Sequence, residues 1–495
     1  MFKKIKDFLL KNTSSRQTIA KNTLWLSISN FGGRAIKAAI IIYAARVLGT
    51  ADYGVFSYAV TLAGFLGLFL DPGINGVLMR DTAGASDEKR RKVFSTTFFM
   101  KLILLVIGIF IVIFIAPFFS TLPGAKALLP IVAFILVFDA SREFLLSLLR
   151  GLEQMEWDAV VFILTNIGIV IFGFIFLALH PTVASLSWGY AIGTGLGVIA
   201  ALVVVRDYFK DIFKHFSSEL VKPILASAWP FAAANALGLL LTNTDILIIS
   251  WMRSASDVGV YAAAIRIIQV LYLIPGVLQF SSLPLLARLA KNDNGKFRTA
   301  LEGMIGVLFI VSIPLAIGSA IIGTEFMSFV YGPAYAAGGA SLAFLMATMI
   351  VDFPGSILGA ALFAYGSQKK LIIAAAIGGI SNVVFDLALI PRFGIVGSAS
   401  ATLLAQILCN GYLWYAMKKV NYFAVVPKLK NIAVAAVIMA AVTAVSLWLN
   451  VNVLINIFIS TIVYFAALKL LREPMLEEML EILPGGRRLM SANTP

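Results

Sequence analysis

Residues 157–180 read WDAVVFILTNIGIVIFGFIFLALH, an apolar run closed at its two ends by Asp158 and His180. A run of this length matches the roughly 20 residues a helix needs to cross about 30 Å of hydrocarbon. It is also too long and too continuous for the alternating ten-residue pattern of a membrane barrel strand. Runs of the same kind recur on either side, at 21–49, 53–79, 93–117, 127–149, 183–205, 223–251, 257–287, 299–322, 336–365, 370–391, 395–417, 431–449 and 451–470. The chain therefore reads as an all-α polytopic membrane protein of about fourteen transmembrane helices.

Composition agrees. Of 495 residues, 60% are hydrophobic and 13% charged, against about 25% charged in a soluble domain. The polar interruptions are short and leave no room for a sizeable extramembrane domain. A net charge of +14 would suit nucleic acid, but the basic residues lie singly or in small clusters between apolar runs and form no continuous face. No nucleic-acid partner is expected. The single cysteine, Cys409, implies neither a disulfide framework nor a metal cluster, and no cofactor, metal or catalytic residue is expected.

The basic residues instead report topology. Lys3, Lys4, Lys6, Lys11, Arg16 and Lys21 share a side with Arg80 and Lys89–Lys92, with Arg206, Lys210, Lys214 and Lys222, and with Arg288, Lys291, Lys296 and Arg298. Lys369, Lys370, Lys418, Lys419, Lys428, Lys430, Lys469 and Arg472 continue the same side, and the opposite loops hold only Arg46, Lys126, Arg253 and Arg392. Both termini are expected in the cytoplasm.

A shift of 205 positions overlays Asn30 on Asn235, Gly33 on Gly238, Ile41 on Ile246, Asp52 on Asp257, and GVFSYA at 54–59 on GVYAAA at 259–264. Such a parallel repeat predicts two six-helix bundles related by a pseudo-two-fold axis along the membrane normal. The expected organisation is an interfacial amphipathic segment at 1–20, bundles at 21–210 and 223–420 joined by a cytoplasmic linker at 211–222, helices 13 and 14 within 428–471, and a cytoplasmic tail at 472–495.

Ionisable groups inside a bilayer are costly, so the few present point to a site. Arg34 and Lys37 are three residues apart on one helix face, with Asn30 one turn before Arg34. At ~1.5 Å per residue they lie about 20 Å beyond Lys21, out of easy reach of cytoplasmic headgroups. This face is expected to line an internal cavity, with snorkelling or pairing to Asp245 as the competing reading. Asp245, whose repeat mate is Ile40, is expected as a counter-ion or coupling group, and Arg266, with Gln269 one turn on, as a further cavity cation or a polar contact near the outer end of its span. Asp139, Arg142 and Glu143 read as a local ion-paired cluster. Asp71, before Pro72 and Gly73, reads as the end or kink of a helix. Asp352, next to Phe353 and Pro354, and Asp386 read as helix breaks or polar packing, with cavity lining as the competing reading.

AARVLGTADYGVFSY at 44–58 and DPGINGVLMRD at 71–81 resemble the first-hairpin signature of the polysaccharide-transporter flippases of the multidrug, oligosaccharidyl-lipid and polysaccharide exporter superfamily. NTDILIISWMRSASDVGVYAAA at 243–264 is similar to the second-half counterpart. YGPAYAAGGASLAFL at 331–345, YGSQKK at 365–370 and NVVFDLALIPRFGIVGSASAT at 382–402 resemble the late signatures. Asp386 and Pro72 depart from the usual asparagine and leucine. The resemblance implies a flippase, not an enzyme. It would move a polyprenyl-diphosphate-linked oligosaccharide to the outer leaflet of the plasma (inner) membrane by alternating access, for O-antigen-like surface polysaccharide biosynthesis. Membrane lipids and polysaccharide polymerase machinery are the implied partners. It places Arg34, Lys37 and Arg266 on spans that line the central cleft. A multidrug exporter of the same superfamily, a peptidoglycan-precursor flippase and a membrane-embedded polymerase or transferase remain as alternatives. The short outer loops and the absence of a P-loop, HExxH or paired-carboxylate motif count against the last.

Overall fold

The computed structural model describes residues 15–120 and 122–476, so most of the segment expected at 1–20 and of the tail at 472–495 lies outside the described residues. Helix dominates, and no strand occurs among the described residues.

The first two apolar runs meet in α1 (Ser15–Leu70), which breaks at Gly49 with φ 75° and ψ 179°. The short loop expected there is a single glycine in a region that L side chains avoid. Leu70 ends α1, residues 71–73 are irregular, and α2 (Ile74–Thr82) resumes the span. Pro72 has no N–H to donate, Gly73 turns the chain at φ 93°, and the Asp71 carboxylate accepts the Asn75 N–H at 3.1 Å. The sequence reading of this tripeptide as a break holds. Downstream, α3 (Asp87–Phe110) passes through a π turn at Ile111–Ile115 into α4 (Ala116–Phe119). The wide turn sits just before Pro117, which cannot donate to the preceding turn.

The rest of the chain comprises α5 (Pro123–Gly151), α6 (Met155–Leu179), α7 (Val183–Val205), α8 (Val221–Met252), α9 (Ala255–Leu271), α10 (Leu273–Asn292), α11 (Asn294–Tyr331), α12 (Gly339–Ala364), α13 (Gln368–Val420), α14 (Lys430–Trp448) and α15 (Val453–Leu470). Like α1, α13 is two arms joined at a glycine, Gly394, with φ 60°. Among the described residues, eleven helical stretches are long and apolar enough to cross a membrane. Counting the arms of α1 and α13 separately, and adding the apolar helix α5, gives the expected fourteen. Phe110, Phe114, Phe118, Ile103 and Val106 of the third span all point outward and are exposed. Such a surface calls for lipid as its solvent, and the chain is a multi-pass membrane protein.

Two compact units divide the chain between Ala262 and Ala263. In the first, Phe94, Phe144, Leu145, Leu148, Val161, Ala201 and Val205 build a core among α3, α5, α6 and α7. The 205-residue shift has a physical counterpart in this unit. A Cβ placed on Gly54 would fall 1.8 Å from the Ala255 carbonyl oxygen, and one on Gly259 would fall 1.9 Å from the Thr50 carbonyl oxygen. Thr50 and Ala255 are repeat mates, as are Gly54 and Gly259, so the start of the second arm of α1 and the start of α9 meet across a local two-fold axis. Backbone contact this close is open only to glycine.

In the second unit, α14 and α15 are stapled by hydroxyl and amide groups. Thr443 and Ser460 share a hydrogen bond of 2.8 Å, and Asn456 donates to the Thr443 carbonyl at 3.1 Å. The pair docks on α11, where the Tyr464 hydroxyl donates to the Ile310 carbonyl at 2.9 Å. The chain before α14 is clamped by Glu302 of α11, which accepts from Lys428 Nζ at 2.6 Å, Arg298 Nε at 3.1 Å and the Ala424 N–H at 2.9 Å.

Candidate functional site

Asn30, Arg34 and Lys37 fall on the first arm of α1, where helical backbone carries the three positions on one side. The side chains of Asn30 and Arg34 lie outside the described set. Lys37 is half-buried, and its ammonium stands 4.8 Å from the ring centroid of Tyr190 on α7. Tyr190 is itself buried and packs edge-on against Phe56 at 5.0 Å. A desolvated cation over an aromatic face gains about 2 kcal/mol.

Asp245, on α8, is 4% exposed and accepts a 2.5 Å hydrogen bond from the hydroxyl of Tyr261 on α9. The phenol comes from a position the sequence reading passed over. At the mates of these two positions the first repeat holds Ile40 and Phe56, both buried. The polar pair therefore belongs to the second repeat alone. Within the second unit, Arg266 is half-buried and its Nη1 donates to Gln269 Oε1 at 2.8 Å, one turn along the same helix.

A second polar centre in the first unit gathers groups the sequence had read separately. A cavity of about 530 Å³ is bordered by Asp71 and Asn75 at the break after α1, by Asp139, Glu143 and Arg150 of α5, and by Lys101 of α3. The expected ion-paired cluster is present: Arg142 Nη2 meets Asp139 at 2.7 Å and Glu143 at 3.0 Å. It extends further, because Arg150 bridges Glu143 at 3.2 Å and the buried Asp158 at 2.9 Å. Lys101 was not singled out in the sequence, although a lysine inside an apolar run is itself a signal.

In the second unit the Tyr272 hydroxyl donates to Asp352, which also accepts from Asn410 Nδ2 at 2.6 Å. Asp386 accepts from the Ser398 hydroxyl at 2.9 Å. Neutral groups thus donate to both carboxylates.

The chain resembles several known proteins. It is 24% identical over 391 residues to "Probable flippase AglR" of Haloferax volcanii, covering 75% of this chain and 78% of that one. With "Probable low-salt glycan biosynthesis flippase Agl15" of the same organism it shares 24% identity over 405 residues, covering 78% and 81%. Among solved structures, "Lipid II flippase MurJ, inward closed conformation" superposes with a TM-score of 0.74 at 20% identity, covering 92% of this chain and 99% of that one. That likeness carries the fold. Residues 19–290, more than half the chain, match the family described as "Polysaccharide biosynthesis protein", and the chain belongs to that family.

Proposed function

We propose that the chain is a flippase that carries a polyprenyl-diphosphate-linked oligosaccharide from the cytoplasmic to the outer leaflet by alternating access, in the service of cell-surface polysaccharide biosynthesis. The observation that carries this reading is Lys37, a cation kept inside the first span and set against the uncharged ring of Tyr190. With Arg34 one turn away, it supplies what a diphosphate needs in a low dielectric, while a polyprenyl tail stays in lipid. The names of the relatives point the same way. Arg34, Lys37, Asn30 and Arg266 are the proposed diphosphate-binding set, and Asp245 the counter-ion or coupling group. The protein acts in the plasma (inner) membrane with both termini cytoplasmic, and passes its cargo to polysaccharide polymerase machinery.

The test is export in cells. Arg34→Gln with Lys37→Gln should leave the protein inserted and abundant while lipid-linked oligosaccharide accumulates on the cytoplasmic leaflet. Adding Asp245→Asn should not restore export. Export that survives in this triple variant excludes the cationic site. Orientation is tested separately with His215→Cys and Asp293→Cys: an impermeant thiol reagent should label neither in intact cells.

A further inference from the structure

Lys101 sits in the most apolar candidate span among the described residues and is 2% exposed. Among the described residues no carboxylate approaches its ammonium to ion-pair distance. Its one hydrogen bond, 2.8 Å long, goes to the carbonyl of Leu70. That carbonyl is the last of α1, left without a helical donor because the helix stops there. An ionisable group placed so deep, with no ion pair, is a functional group by default.

Three carboxylates act on Lys101 from a distance, and each has other business. Asp71, at the break, caps Asn75 through Oδ1. Asp139 and Glu143, both on α5, are bound by Arg142, and Glu143 also by Arg150. From α8, the cavity wall carries only Phe231, Asn235 and Leu239, none of them ionisable. The acidic surround favours the charged form, and the low-dielectric setting favours the neutral one. The neutral amine still has N–H groups to give to Leu70. Lysine can therefore change charge here without losing its contact, and the cavity beside it offers a path to water.

We propose that Lys101 is a proton-binding site, exchanging one proton with water in this cavity (R–NH₃⁺ to R–NH₂ and H⁺), and that its charge sets how firmly the broken end of α1 is held. The ligand is a proton; the carrier is this one amine. Its use in transport rests on the flippase reading, whereas the titration stands apart from it and can be measured without substrate.

The experiment uses the full-length protein in lipid nanodiscs with Cys409→Ser and Asn75→Cys, the new cysteine carrying a bimane fluorophore on the cavity wall. Emission is followed from about pH 6 to about pH 10, the range into which burial moves lysines. The wild-type lysine should give a single sigmoidal transition. Asp139→Asn should move its midpoint to lower pH, because one fewer negative charge disfavours the ammonium. Lys101→Arg, which stays charged below about pH 12, should abolish the transition, and so should Lys101→Met. If Lys101→Met does not fold, the arginine variant decides alone. A flat wild-type profile overturns the proposal, as does a transition that persists with the same midpoint in Lys101→Arg.

Discussion

Gly54 and Gly259 face each other so closely that a methyl group on either would overlap the backbone carbonyl of the opposing helix, 1.8 Å away in one direction and 1.9 Å in the other. The near equality of these distances makes the contact reciprocal. Neither neighbour is a flexible side chain that could swing aside. Alanine at position 54 should therefore destabilise the protein by an amount within the ~1–3 kcal/mol of overpacking, and alanine at 259 should cost about the same. The check is thermal unfolding of the two single variants in the same detergent. A clearly unequal pair would contradict the local two-fold.

The Arg150 bridge makes a second prediction. Asp158 is buried, with a side chain 4% exposed, and it pairs with Arg150. Arg150→Met should cost about 3–5 kcal/mol by leaving a buried carboxylate uncompensated. Asp158→Asn in that background should recover most of the loss, because it removes the stranded charge. A double variant no more stable than Arg150→Met would count against the ion pair.

Glu302 ties together Arg298, Lys428 and the Ala424 N–H. Glu302→Ala leaves the amide and the ammonium without this acceptor, at a cost of about 1–3 kcal/mol. The effect should be local, loosening the segment ahead of α14. Limited trypsinolysis of the full chain should then cut after Lys428 several-fold faster than in the wild type.

Asp293 caps α11, accepting from the Gly295 N–H at 3.0 Å and the Lys296 N–H at 2.9 Å. The backbone N–H of Lys296, more than any other group, holds its carboxyl below the ordinary value. A depressed folded-state value means that the stabilisation is complete above the unfolded value of about 3.9 and fades as pH falls through the folded one. Amide-exchange protection at Lys296 and Phe297, corrected for intrinsic rates, should decline below about pH 4. Asp293→Asn should flatten that dependence.

Much of the fold is legible in the sequence because lipid imposes a simple rule: every span must be long, apolar and internally hydrogen-bonded. The break at Asp71–Gly73 is legible too, since proline and glycine act through their own backbones. Gly49 and Gly394 are less so, because a helix broken at one residue and a short loop have the same composition. At the site, Arg34 and Lys37 stand out by charge. The phenol bonded to Asp245 does not, for Tyr261 is one tyrosine among 14 and is brought to the carboxylate by the crossing of α8 and α9. Lys101 escaped notice because a lone lysine in a long apolar run looks like one that reaches for the headgroups. Only the fold reveals that its ammonium is spent on the end of α1.

The reciprocal glycine contact also bears on ancestry. A patch that meets its own copy across a two-fold is how a homodimer assembles from one surface used twice. A half-length forerunner could have made this junction with a second copy of itself, and joining the copies end to end would have preserved it. After such a fusion the two halves are free to drift wherever the axis does not constrain them. Glycine persists at 54 and 259, on the axis, while off it Phe56 faces Tyr261 in the alignment and Ile40 faces Asp245. Duplication thus lets one half acquire a carboxylate and its phenol while the other keeps the hydrocarbon pair, a division of labour closed to a symmetric dimer, where each change is made twice.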